Sequence, residues 1–124
     1  MRRLVLCVML TGLSAPALAQ QMNAEAFHQR ATKLKGKGAF AIFSGGEIKA
    51  LMAEVQAAAK ASGARYKADK AAGRPIPYCP PKESKMSSDE LMARLAAIPV
   101  EERRKIDMTE AMTRIMTAKY PCKS

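Results

Sequence analysis

The sequence predicts an all-α protein. The expected form is a small single-domain helical bundle, one long helix with two or three shorter helices, stapled by one disulfide. Three observations predict it. Alanine, lysine, methionine, leucine and glutamate dominate the 124 residues, while aromatic residues make up 5% and tryptophan is absent. Apolar positions recur with a 3.6-residue period in most of the chain. The N-terminus has the layout of an export signal, and beyond it only two cysteines remain.

The N-terminal segment comes first because it sets the redox compartment. Arg2 and Arg3 precede an apolar run from Leu4 to Leu13, followed by Ser14, Pro16 and Ala17-Leu18-Ala19. That order predicts a signal peptide over residues 1–19, cleaved between Ala19 and Gln20. The run of about ten apolar residues is half the roughly 20 that a membrane span needs. Cys7 lies inside the run and not at the cleavage point, so a lipid anchor is not expected. The mature chain, residues 20–124, is then a single domain placed in the periplasm or secreted.

Loss of Cys7 leaves Cys79 and Cys122, and an even pair in an oxidising compartment predicts one disulfide. A zinc site usually takes four thiol or imidazole ligands, and His28 is the one histidine in the chain. A nucleophilic cysteine needs a base, and the same histidine is the one imidazole on offer. Neither a metal nor a cofactor is expected.

The elements follow in order. Residues 23–35 place Ala24, Phe27, Ala31 and Leu34 at helical spacing, with His28 beside that stripe as a surface or half-buried residue. Residues 36–46 bracket Phe40, Ile42 and Phe43 with glycines and read as an apolar turn. Ser44 and Glu47 stand as a capping box for the long helix. Its apolar positions are Ile48, Leu51, Met52, Val55, Ala59, Ser62 and Tyr66, and it is expected to run from Glu47 to Ala71, ended by Gly73 and Pro75. Residues 74–85 hold four prolines and cannot be helical, so they form a surface crossover fixed at Cys79. Ser87 with Glu90 opens a helix to Ala97, broken by Ile98-Pro99. Pro99 with Glu101 and Glu102 suits a short helical segment to Lys105. Asp107 with Glu110 opens the last helix, to Lys119, and Pro121 stops it before Cys122.

Charge narrows the partners. Without Arg2 and Arg3 the mature chain has 19 basic against 11 acidic side chains, a net of +8. Residues 20–85 carry 12 basic and 5 acidic groups, so nearly all the excess lies there. The candidate binding surface is therefore the basic side of the long helix with the adjoining crossover: Lys49, Lys60, Lys67, Lys70, Arg74 and Lys82. In an exported protein the anionic partners are lipid head groups, cell-wall polymers or an acidic protein face. Nucleic acid is not expected, because no aromatic-interleaved basic motif is present.

Met108, Met112 and Met116 stand at i, i+4 and i+8 beside Ile115. Thioethers are soft ligands for copper(I), but Ala111 and Ile115 continue the same apolar surface, so a core face is the expectation. No nucleophile elbow, zinc-protease helix, phosphate loop or histidine-centred triad is present. The acidic pairs Asp89-Glu90 and Glu101-Glu102 sit at helix starts, where carboxylates favour the helix dipole. An enzyme is not expected.

The C-terminal part has the order Cys79, Pro80-Pro81, a capped helix over 87–97, Ile98-Pro99, Glu102-Arg103-Arg104, an alanine-bearing helix, then Tyr120-Pro121-Cys122. This resembles the small periplasmic immunity-like proteins of the Rap/Tai group, mainly over residues 78–122, with a weaker echo in residues 46–55. The resemblance implies a helical, disulfide-bonded protein that binds and blocks a peptidoglycan amidase delivered by type VI secretion. The further cysteine pair usual in that group is missing here, in the stretches around Ala53 and Tyr66. Two functions are therefore expected of the chain: an immunity-like inhibitor that binds a periplasmic or secreted protein, or a basic envelope protein that binds anionic lipid or polymer.

Overall fold

The computed structural model describes residues 22–38 and 45–123. They form five helices: α1 (Ala24–Gly36), α2 (Gly45–Ala71), α3 (Ser88–Ala97), α4 (Val100–Arg103) and α5 (Met108–Lys119). No strand occurs among the described residues; two residues, Asn23 and Asp107, pair as an isolated antiparallel bridge. The chain is the expected all-α bundle, with one long helix and one disulfide. The shorter helices number four among the described residues because α4, a single turn, counts as one. The export segment and the apolar turn around Phe40, Ile42 and Phe43, with the Ser44 cap, lie outside the described residues.

Helix starts follow cap chemistry. The Ser87 hydroxyl accepts from the Glu90 N–H at 3.1 Å, and the Asp107 carboxylate accepts from the Glu110 N–H at 2.8 Å. The Asn23 side chain accepts from Glu25 and Ala26 to start α1. Two of these caps also meet each other. The N–H of Ala24 donates to Ile106 O and the N–H of Met108 to Met22 O, each at 3.0 Å. Asn23 Nδ2 adds a bond to Arg104 O at 2.8 Å. One bridge thus ties the start of α1 to the start of α5.

Helix ends have equally local causes. Gly73 adopts φ +69°, and Arg74 N–H reaches back to Asp69 O at 2.9 Å while Gly73 N–H reaches Lys70 O. This closing turn needs a left-handed residue, which glycine supplies without a Cβ clash. Ile98 leaves α3 with ψ 125°, the extended state imposed by Pro99.

The core is one cluster built from four helices: Ala24 and Phe27 of α1, Leu51 and Ala58 of α2, Leu91 and Leu95 of α3, and Met108, Ala111, Met112 and Ile115 of α5. Helix α2, about 40 Å long at 1.5 Å per residue, packs chiefly on α5, while α1 and α3 pack on each other and on α5. The long helix does not bury its whole apolar stripe. Leu51, Ala58 and Ser62 are inside, but Ile48 is 39% and Met52 53% exposed. Among the described residues no further helix covers them.

Candidate functional site

The crossover between α2 and α3 is anchored at two consecutive residues. Tyr78 is buried, its ring stacked on Tyr66 with centroids 5.2 Å apart. Its hydroxyl lies 3.2 Å from Ser62 Oγ and donates to Ser62 O at 3.3 Å, and Ser62 Oγ lies 2.8 Å from Thr113 Oγ1. Cys79 then forms the expected disulfide with Cys122, Cα to Cα 4.9 Å, and its N–H donates to Tyr120 O at 2.8 Å. That separation falls in the usual range of about 4.4–6.8 Å. Both sulfur-bearing residues are exposed. One loop residue is therefore locked to α2 and the next to the end of α5.

The candidate basic residues are placed as follows. Lys49, Lys60, Lys67 and Lys70 are exposed on α2, and Arg74 and Lys82 on the crossover. At 100° per residue, Lys49, Lys60 and Lys67 fall within about 20° of one line, opposite the buried Leu51 and Ala58. Lys70 sits aside from that line, its Nζ 5.8 Å from the centre of the Tyr66 ring. Arg74 is not a free cation: its Nε donates to Asp69 Oδ1 at 2.8 Å. None of the other five has a side-chain carboxylate within 4.0 Å among the described residues. Lys33, Lys37, Lys85, Lys105 and Lys123 share that state.

The arginines behave differently. Every arginine among the described residues has a carboxylate partner. Arg30 and Glu47 join α1 to α2 at 2.7 Å, and Arg114 of α5 binds both Glu102 and Glu110. Planar, five-donor guanidinium groups suit such fixed pairs, whereas a flexible ammonium suits solvent. The lysine excess is thus the part of the charge that internal pairing leaves over.

These pairs move the titrations. The hydrogen bond from Lys119 holds Glu90 below its ordinary value, helped by Arg94, and Glu90 in turn raises Lys119. Arg30 lowers Glu47, and Lys35 lowers Asp89. All are ion-pair effects at the surface of the bundle.

A groove of about 840 Å³ opens between α2 and the edge formed by α1, α3 and the crossover. Its floor includes Phe27, Leu51, Tyr78, Leu91 and Met112, and one wall is a side of α2 with exposed Ile48, Met52 and Ala59 and half-buried Val55, Gly63 and Tyr66. All of these wall residues but Gly63 were expected as apolar positions of the long helix. Their period was the available signal; which half would be covered depends on how many helices the bundle has.

Met108 is fully buried and Met112 nearly so, which places two of the three α5 methionines in the core cluster; Met116 packs against it. His28 is half-buried on α1. Among the described residues no group of three His, Cys, Asp or Glu side chains is arranged to hold a metal ion. No protein-family model, curated protein or solved structure matches the chain.

Proposed function

We infer that this chain is an exported, non-enzymatic protein that acts by stoichiometric binding: an immunity-like inhibitor of a cell-wall hydrolase. The clamped crossover is the observation that carries this reading. Tyr78 and Cys79 hold a proline-rich loop against two helices, so its exposed backbone is already ordered before any partner arrives. A docking loop with little entropy left to lose binds more tightly for the same contacts. Lys60, Lys67 and Lys70 stand at the same end of α2 with no internal carboxylate, a surface that favours an acidic face of a protein partner. The disulfide joins the Cys79-Pro80-Pro81 and Tyr120-Pro121-Cys122 borders, whose sequence resembles that of the Rap/Tai group.

A second reading has its own support. The ten lysines without internal partners suit a basic protein held at anionic lipid or cell-wall polymer. Salt separates the two, because attraction between exposed charges fades over about 10 Å at 0.1 M ionic strength.

The test is capture by the oxidised, immobilised protein from periplasmic extract across a salt series, with the K60E/K67E/K70E variant alongside. The inhibitor reading expects a one-to-one complex with a secreted hydrolase that persists in high salt and weakens in the variant. Retention only of membrane or wall fragments, lost steeply with salt, supports the envelope reading instead. Unchanged capture by the variant excludes this surface from either role.

A further inference from the structure

We propose that the groove between α2 and the α1–α3–crossover edge binds one single-chain anionic amphiphile, an acyl chain carrying a carboxylate or phosphate head. The site is separate from the protein-docking surface above, apart from Lys67, and does not depend on it.

The first argument is the character of the walls. The α2 side presents Ile48, Met52, Val55, Ala59, Gly63 and Tyr66. Ile48 and Met52 are among the few large exposed apolar side chains of the described residues. Methionines from three other directions complete the lining: Met86, Met92 and Met116. Unbranched thioethers adapt to a flexible chain better than to a rigid ligand. At the floor, the Tyr78 hydroxyl bonds Ser62 and Ser62 bonds Thr113, so these three hydroxyls are already used. No buried side-chain polar atom among the described residues lacks a partner.

The second argument is size. A volume of about 840 Å³ is inside the range of small-molecule sites, about 300–1,000 Å³. At the ~30 Å³ that a molecule occupies in liquid water, it holds on the order of 28 non-hydrogen atoms. One long acyl chain with its head fits that number.

The third argument is charge. Three lysines, Lys35, Lys67 and Lys85, line the groove against one carboxylate, Asp89. Lys35 neutralises Asp89 at 2.8 Å. Lys67 and Lys85 have no carboxylate within 4.0 Å, so the free charge of the groove is cationic. An apolar trough with two unsatisfied ammonium groups complements an apolar tail with an anionic head.

The test is titration calorimetry on the full chain, purified oxidised, with three sixteen-carbon probes held below their micelle-forming concentrations: palmitate, hexadecanol and hexadecyltrimethylammonium. Palmitate is expected to saturate at one per chain with a micromolar Kd, hexadecanol about tenfold weaker and the cation weaker still. K67E/K85E should weaken palmitate at least tenfold and favour the cation. Ala59→Trp places a large side chain in the open trough and should abolish binding while the Tm, read separately, stays at the wild-type value. Three results overturn the proposal. One is equal binding of anion and cation. Another is palmitate binding that survives both variants. The last is binding to anionic vesicles with none to monomeric palmitate, which would put the contact on the surface and not in the groove.

Discussion

The guanidinium of Arg103 lies 2.6 Å from the carboxylate of Glu25, across 78 residues of sequence, and both side chains are buried. The same guanidinium donates to the carbonyls of Ala96 at 3.2 Å and Ile98 at 2.6 Å, so it caps the end of α3 while it grips the start of α1. A buried cation with a carboxylate and several carbonyl acceptors is satisfied; the same site with one partner removed is not.

Arg103→Ala should therefore be among the most damaging single changes, lowering the melting temperature by on the order of 10 °C. Arg103→Lys should rescue only part of this, because an ammonium cannot span the carboxylate and the α3 carbonyls in one plane. Thermal denaturation followed by circular dichroism checks both.

Acid should destabilise the fold in a definite window. Glu25, Glu47, Asp89 and Glu90 are held below their ordinary values, chiefly by hydrogen bonds from Arg103, Arg30, Lys35 and Lys119. A depressed carboxylate contributes stability that is complete above its ordinary value, 4.5 for Glu and 3.8 for Asp, and is lost as pH falls below it. Lys119 is raised above 10.5, so its contribution is present below that pH and lost above. The melting temperature should be flat between these limits and fall outside both; a rise on acidification to pH 3 would contradict the pairing.

Tyr78 anchors the crossover by its hydroxyl as well as its ring. Tyr78→Phe removes the bonds to Ser62 and should cost about 1 kcal/mol, the usual net value of a buried hydrogen bond. Tyr78→Ala removes the ring too and should cost about 3–5 kcal/mol. Urea unfolding measures the difference.

The disulfide should stabilise by closing a long loop in the unfolded chain. With 43 residues between its partners in sequence, the chain-entropy model assigns it roughly 4 kcal/mol. Free-thiol titration of the native oxidised protein should find neither Cys79 nor Cys122 free, and the C79A/C122A variant should unfold at markedly lower urea.

Local features of the fold were legible in the sequence. Ser87 and Asp107 cap because a short side-chain oxygen three residues before a free N–H has one easy geometry, and Gly73 ends α2 because only glycine enters that turn cheaply. The crossover followed from prolines, and the disulfide from counting cysteines. Long-range choices were not legible. Glu25 and Arg103 are two of many charged residues, and nothing in their neighbours marks them as the buried pair. Tyr78 reads as a loop aromatic until its hydroxyl is seen to bond Ser62 of α2, which in turn bonds Thr113 of α5. Arg74 looked as free as Lys70 until the turn at Gly73 folded it back onto Asp69. Ile48 and Met52 carry a helical period, and they line a groove that no further helix among the described residues covers.

The proposed activity, stoichiometric inhibition of a cell-wall hydrolase, is tested by a titration of peptidoglycan hydrolysis by a purified type VI amidase, with increasing amounts of the oxidised chain. Hydrolysis should fall linearly and stop at one chain per amidase, and K60E/K67E/K70E should shift the endpoint to higher ratios. Hydrolysis that is unchanged at tenfold excess, across the amidases that the producing cell encodes, would contradict it.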